Sequence, residues 1–263
     1  MVRKVVECRS ALSPSRLPGL DWALNPYRGC EHSCAYCYAQ DVTRFETGRP
    51  WGDVVEVKAN IVSRLKGELE KRVMGVYGLG TVTDPYQPAE AEYELSRGCL
   101  AMLRRFGGRV SILTKSDLVL RDQDLLKGMP GAEVGVTVSC VDEKVSSMVE
   151  PGAPSPERRF RALAELSSNG IDSYLMIAPV IPGVSDTEEM LVEAVTRARD
   201  AGVRRIMWDM YNPKPMAHSR LVHALESSGV GAEPCMSGEC VQAVRKVLVR
   251  ECAVSDIRLV DAF

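Results

Sequence analysis

Short apolar runs alternate with longer helix-period segments from about residue 22 to residue 215, and this alternation constrains the fold more than any other feature. Strands are expected at 22–25, 73–79, 110–113, 133–139, 173–178 and 203–209. Helical periodicity follows at 59–72, 93–106 and 118–127, from Pro156, and after Ser185-Asp186-Thr187-Glu188-Glu189. Pro156 suits a first helical turn, and the last segment supplies a cap followed by acids that favour a helix N-terminus. The stretch 54–57 is read as part of a connection. Strands separated by helices pair in parallel, since the crossover returns the chain to the same end of the sheet. Six such units fall short of the eight that close a barrel. The expected fold is therefore α/β, a partial (β/α)6 TIM-like barrel over residues 21–215. An N-terminal arm (1–20) precedes it, and a short helical C-terminal extension (216–263) follows, with helices near 216–227 and 239–250 and a last strand at 257–260.

In parallel βα folds, reactive groups gather on loops at the carboxyl ends of the strands. Here a cysteine-rich loop follows the first strand, Thr83-Asp84-Pro85-Tyr86 the second, and Lys115 the third. Ser139-Cys140 ends the fourth, residues 179–183 follow the fifth, and 209–212 end the sixth. All six are expected to converge on one mouth.

The first of these loops, Cys30-Glu31-His32-Ser33-Cys34-Ala35-Tyr36-Cys37, has the spacing C-x3-C-x2-C, and Gly29 permits a tight turn before it. Three thiolates hold three corners of a cubane iron–sulfur cluster, whereas complete thiolate ligation takes four. One iron then stays open to a small molecule. Two other readings compete: structural zinc with His32 or a distant fourth ligand, and a set of redox thiols. Zinc ribbons and fingers pair C-x2-C units, and the sequence has no second unit.

Composition narrows the setting. Nine cysteines, an odd number, fit a reducing compartment, and a net charge of −2 gives no global attraction to nucleic acid or anionic membrane. The N-terminus lacks the apolar stretch of a secretory signal. The longest apolar run, 174–184, is interrupted by Pro179, Pro182 and Gly183 and is too short to span a bilayer. The expectation is a cytoplasmic, soluble protein without a membrane partner. Arg104-Arg105, Arg158-Arg159 and Arg204-Arg205 read as solvated helix faces rather than a phosphate track, so charge does not indicate nucleic acid as a partner.

The chain resembles the radical S-adenosylmethionine (SAM) superfamily, within it the spore photoproduct lyase-related, DNA-repair photolyase-like branch. The resemblance rests on residues 25–40, 81–90, 113–116, 150–159 and 177–186; the last 48 residues carry no such likeness. It implies a [4Fe–4S] cluster on Cys30, Cys34 and Cys37 with SAM on the fourth iron. It further implies reductive cleavage of SAM to a 5′-deoxyadenosyl radical that abstracts hydrogen from an unidentified substrate, a lyase- or oxidoreductase-type activity. A flavodoxin- or ferredoxin-type electron donor is implied as partner. By the same resemblance Tyr36 and the backbone to Tyr38 contact the adenine, Ile181 flanks it, Thr83 and Asp84 meet the SAM amino group, Lys115 its carboxylate and Ser139 the ribose. Glu150 and Arg159 belong to the branch pattern and read equally as an ion pair closing the loop after the fourth strand. Spore photoproduct lyases carry a hydrogen-donating cysteine just before the segment that here begins at Thr83; residues 80–82 contain none, which leaves Cys140 as the candidate donor and weakens thymine-dimer repair as the function. Cys235, Cys240 and Cys252 raise the question of a second metal, against buried helix-associated thiols as the alternative. Cys8 and Cys99 read as structural.

Overall fold

The computed structural model describes residues 1–71, 74–229 and 237–262. Strands β1 (Val2–Val6), β2 (Leu12–Pro14), β3 (Trp22–Leu24) and β4 (Tyr27–Arg28) precede the short helix α1 (Ala39–Thr43). Then come β5 (Val54–Lys58), α2 (Ile61–Leu69), β6 (Val76–Leu79), α3 (Glu90–Tyr93), α4 (Leu95–Arg105) and β7 (Arg109–Thr114). A 3-10 turn, Asp117–Asp122, runs into α5 (Gln123–Leu126), followed by β8 (Glu133–Thr137), α6 (Glu143–Val149) and α7 (Pro156–Ser168). The chain ends with β9 (Asp172–Val180), α8 (Glu188–Asp200), β10 (Arg205–Met210), α9 (Pro215–Ser227), α10 (Gly238–Val254) and β11 (Arg258–Asp261).

One sheet holds eight strands in the order β11-β10-β9-β8-β7-β6-β3-β2, and all neighbours are parallel except β2 against β3. The order is open, with β2 and β11 at its edges, so the barrel is partial as expected. The six expected strands are β3, β6, β7, β8, β9 and β10, in sequence order across the sheet. Central strands are buried on both faces: Val134 and Val136 of β8 and Leu175 and Ile177 of β9 belong to the main core, and the alternating Tyr174 and Met176 of β9 are buried in a separate cluster on the other side. Gly135 serves close packing there, because a Cβ on it would lie 2.4 Å from the Tyr174 ring.

The helices are placed by the signals that predict them. α7 has Ser155 as its cap, accepting from the Arg158 amide, with Pro156 in the first turn, and buries Phe160, Leu163 and Leu166. α8 is capped by Thr187, with Glu188 and Glu189 in its first turn, and buries Leu191, Ala194, Val195 and Ala198 at helical spacing. Three segments differ from expectation. The connection 54–57 is strand β5, the centre of a separate three-stranded sheet in the order β1-β5-β4. Residues 1–20 supply β1 to that sheet and β2 to the main one. The helix expected at 118–127 is a 3-10 turn plus one α turn: Ser116 caps Leu118, and Arg121 is drawn onto Glu90 and Asp122 at 2.7 Å each. Beyond residue 215, α9 and α10 lead into β11, which extends the main sheet beside β10.

Candidate active site

The cysteine loop leaves β4 through Gly29, whose φ of +85° and approach to Val54 leave no room for a side chain: a Cβ would lie 2.4 Å from the Val54 carbonyl oxygen. Four separate parts of the chain then hold the loop. Arg3 of β1 donates twice to the buried Glu31 carboxylate, at 2.7 and 3.1 Å. From the loop after β6, Thr83 Oγ1 donates to the Gly29 carbonyl at 2.6 Å and Gln87 Oε1 accepts from the Glu31 amide at 2.9 Å. From α6 and beyond, Val149 O accepts from the Ala35 amide at 2.8 Å and the Gly152 amide donates to His32 O at 3.0 Å. From α9, Arg220 Nη2 donates to the Cys37 carbonyl at 2.6 Å.

A cavity of about 360 Å³ opens beside this loop. Cys30, Cys34, Cys37, Tyr36 and Tyr38 line it from the loop, Thr83 and Asp84 from the end of β6, and Lys115 from the end of β7. Pro179, and then Asp209, Asn212 and Lys214, complete it from the ends of β9 and β10. The convergence of loops expected from the sequence is present in space, with one exception: the residues after β8, Ser139 and Cys140, do not reach the lining.

Asp84 is committed to the protein. Its Oδ1 accepts from the Tyr86 amide (2.8 Å) and Thr114 Oγ1 (2.6 Å), its Oδ2 from the Lys115 amide (2.8 Å), and His32 Nδ1 stands 3.3 Å from Oδ2. Three hydrogen bonds thus engage both oxygens, and His32 Nδ1 approaches Oδ2 without completing a fourth. Burial on its own would raise this carboxyl; His32 and the hydrogen bonds outweigh it and hold Asp84 down to about 2. Glu150 forms a second buried centre. It accepts from Tyr36 OH, from Ser139 Oγ at 2.7 Å and from Ser146 Oγ at 3.2 Å, and pairs with Arg159 Nη1 at 2.5 Å. Lys115 Nζ lies 3.9 Å from it and 5.5 Å from the Tyr36 ring centre. Here too burial pushes upward and the Arg159 and Lys115 charges win, holding Glu150 down to about 2.

The other expected site residues divide. Tyr38 is 43 % exposed and donates to Thr81 O at 2.7 Å. Ile181 is fully buried in a cluster with Cys34, Tyr36, Tyr211, Leu221 and Leu225, behind the loop rather than on the cavity. Ser139 is buried on Glu150. Cys140 is buried with its sulfur 3.9 Å from Met190 Sδ, off the cavity, and burial pushes its thiol up to about 12. Of the proposed second metal set, Cys235 lies outside the described residues, Cys240 sits in the first turn of α10 with Sγ 3.6 Å from Asp186 Oδ2, and Cys252 is core. Sequence reading missed Arg3, Gly152 and Arg220 as parts of the site. Their spacing from the motif, up to 183 residues for the Arg220–Cys37 bond, leaves no local signal.

The donor set around the loop fits an iron–sulfur group. Burial pushes the Cys30, Cys34 and Cys37 thiols up, Cys34 to about 12, while the Asp84 and Ala39 amides face the Cys30 and Cys37 sulfurs and pull the other way. Thiols so placed ionise on binding metal. Among the described residues, four buried side-chain nitrogens lack a hydrogen-bond partner: His32 Nδ1, Trp51 Nε1, Arg159 Nη2 and Arg220 Nε. His32 is in the loop, Trp51 packs with Cys30, Arg159 holds Glu150, and Arg220 holds Cys37. Buried donors are ordinarily satisfied, so an excess of them around three thiols suits a group rich in anionic acceptor atoms. No three His, Cys, Asp or Glu side chains among the described residues gather tightly enough for one ion.

Residues 24–195 match the radical SAM superfamily. An uncharacterised protein of Methanocaldococcus jannaschii is 36% identical over 188 residues, 72% of this chain and 71% of its own length. An uncharacterised protein of Mycobacterium tuberculosis is 34% identical over 210 residues, 75% of this chain; the match takes in 61% of that protein. A radical SAM Nα-GlyT isomerase of Pseudomonas phage M6 is 26% identical over 161 residues, 60% of this chain and 33% of its own. In structure, spore photoproduct lyase complexed with dinucleoside spore photoproduct superposes with a TM-score of 0.73 at 14% identity, over 99% of this chain and 82% of that one. The chain therefore belongs to the radical SAM superfamily and carries the fold of spore photoproduct lyase.

Proposed function

We propose that Cys30, Cys34 and Cys37 hold a [4Fe–4S] cluster and that the adjoining cavity takes SAM. The chemistry supplied there, when both are bound, is reductive cleavage of SAM to methionine and a 5′-deoxyadenosyl radical that abstracts hydrogen from a substrate. The observation that carries this reading is that three thiols, two of them buried, line one cavity at the carboxyl ends of parallel strands, with unsatisfied buried donors packed around the cysteine loop.

The protein's own groups would bind and orient. Lys115 faces the cavity above Tyr36 and suits the SAM carboxylate, and the Tyr38 ring on the lining suits the adenine. Asp84, Ser139 and Glu150 act by fixing His32, Lys115 and Tyr36, because their own polar atoms are engaged within the protein. Asp209, Asn212 and Lys214 line the cavity without a hydrogen bond or ion pair from any described side chain, and are assigned to the substrate. Cys140 is not retained as hydrogen donor, being walled off beside Met190. A flavodoxin- or ferredoxin-type protein would supply the electron.

The test is anaerobic reconstitution followed by iron and sulfide analysis, EPR with and without SAM, and reduction with a strong reductant. Cluster formation, a SAM-dependent change in the EPR signal and release of 5′-deoxyadenosine are expected. A fully loaded protein that never yields 5′-deoxyadenosine would overturn the proposal, and one zinc with neither iron nor sulfide would replace it with a non-catalytic metal-binding module. The substrate panel begins with a dinucleoside, since the solved neighbour is complexed with one, and extends to peptides and small metabolites.

A further inference from the structure

Helix α9 lies beyond the matched residues 24–195, yet it sets a guanidinium against the third cysteine. Arg220 Nη2 donates to the Cys37 carbonyl at 2.6 Å, and Nη1 donates to the Gln40 side chain. The guanidinium carbon lies 5.6 Å from the centre of the Trp51 ring, and Trp51 packs in one apolar cluster with Cys30, with Cys37 against it. Arg220 Nε and Trp51 Nε1 are both buried without an acceptor among the described residues. No described carboxylate stands within ion-pair distance of Arg220, although the chain's other site arginines, Arg3 and Arg159, each have one. The end of α9 that carries it is anchored to the same region: Asp41 of α1 accepts from the Met216 and Ala217 amides at 2.9 and 3.1 Å.

A part-buried cation with no carboxylate in ion-pair contact, Asp41 acting on it only from farther off, is unfavourable unless an anion comes to rest beside it. An orphaned N–H next to it points the same way, since hydrogen bonds and charge near the sulfurs are what set the potential of an iron–sulfur centre. We propose that Arg220 is a positioning residue that fixes Cys37 and holds a permanent positive charge beside the cluster, favouring its reduced form. Reduction adds one negative charge at that place, and a fixed cation stabilises it in proportion to their proximity. The proposal rests on the reading of the three cysteines as cluster ligands.

Three proteins test it: wild type, Arg220→Lys and Arg220→Gln, each reconstituted anaerobically as the full chain. Iron and sulfide content are measured, and the reduced-to-oxidised ratio is read by EPR across a series of fixed potentials. Lysine keeps the charge and loses the fork; glutamine loses the charge. Arg220→Lys is expected to retain the cluster with a ratio within about threefold of wild type. Arg220→Gln is expected to show a ratio about tenfold lower at the same poise, a shift of about 59 mV for one electron. If Arg220→Gln binds no cluster while Arg220→Lys does, the Arg220→Lys ratio decides: within about threefold of wild type upholds the proposal, and a ratio about tenfold lower with the charge kept overturns it. Equal ratios in wild type and Arg220→Gln, or equal losses in both variants, overturn it. A wild-type chain that takes up no iron and sulfide refutes the underlying reading instead, and is told apart at the first measurement.

Discussion

Replacing Glu150 with alanine strips the counter-charge from Arg159, a guanidinium with no exposed surface. Arg159 would keep only its bonds to Pro154 O and Thr137 O, at 2.7 and 3.3 Å. Removing one partner of a buried pair costs about 3–5 kcal/mol, so urea unfolding of Glu150→Ala is expected to show a loss of that size. A loss under about 1 kcal/mol would mean water reaches the pair. Gly152 makes a different residue-scale case. A Cβ there would lie 2.2 Å from Glu31 O and 3.0 Å from the His32 backbone, so Gly152→Ala must displace the cysteine loop itself. The expected result is a folded protein, by far-UV circular dichroism, that takes up markedly less iron than wild type. Asp84 gives a pH signature. Its carboxyl is held at about 2 against an ordinary 3.8, so its stabilisation is complete above the ordinary value and drains away as pH falls through the folded one. That difference corresponds to roughly 2 kcal/mol. Asp84→Asn should therefore be less stable than wild type at neutral pH by about that amount, with the two unfolding curves converging toward pH 2. A gap that persists at the acid end would assign the loss to geometry instead of charge.

At the scale of elements, the joint between α1 and α9 is the one most open to measurement. Asp41 caps α9 from 175 residues away, taking the Met216 amide with one oxygen and the Ala217 amide with the other. A carboxylate at a helix N-terminus satisfies donors and meets the positive end of the dipole, a stabilisation of about 1–2 kcal/mol. Asp41→Ala should lower stability by that amount and speed amide exchange in the first turn of α9; unchanged exchange there would show that packing of Leu221 and Leu225 alone fixes the helix. This joint was invisible in the sequence for a plain reason. A cap is recognisable when it lies next to the helix it serves, as Ser155 and Thr187 do, and not when it comes from another element. The same distinction separates the strands that could be read from those that could not. A central strand such as β9 is apolar without a break from Tyr174 to Val180 because both its faces are covered. β1 has two exposed and three half-buried positions, so no apolar pattern marks it, and its pairing with β5 is made by residues over 50 positions apart. The 118–127 segment has helical periodicity, yet Arg121 is claimed by Glu90 and Asp122, and that tertiary contact outweighs local preference.

For the whole molecule, the cysteine motif and the strand-end rule located the mouth of the barrel from sequence, and most of the lining follows from them. What they could not give is the depth at which each group sits. Ser139 and Glu150 have the chemistry of ligand contacts, but their burial and partners turn them inward, while Asp84 lines the cavity with its oxygens already engaged, and only three-dimensional packing decides that. Nor could they assign a place to the chain beyond residue 215, which carries no motif. In the structure that segment is continuous with the site: Leu221 and Leu225 are fully buried in one cluster with Cys34, Tyr36 and Ile181, and Arg220 holds Cys37. β11 also covers the flank of β10, which would otherwise present an open edge of backbone donors and acceptors. A chain ending at residue 215 would thus lose the apolar cover of the cysteine loop, the Arg220 bond and an edge strand together. Losing the burial of these two leucines forfeits about 2 kcal/mol each before the sheet edge is counted, and stability margins of a domain are of the order of 5–15 kcal/mol. The expected outcome is a truncated protein that is poorly soluble and, in whatever fraction stays in solution, takes up far less iron and sulfide than the full chain. Recovery of a soluble, cluster-loaded 1–215 fragment would show instead that the parallel strands and their loops suffice, and that α9 only lies against a site already formed without it.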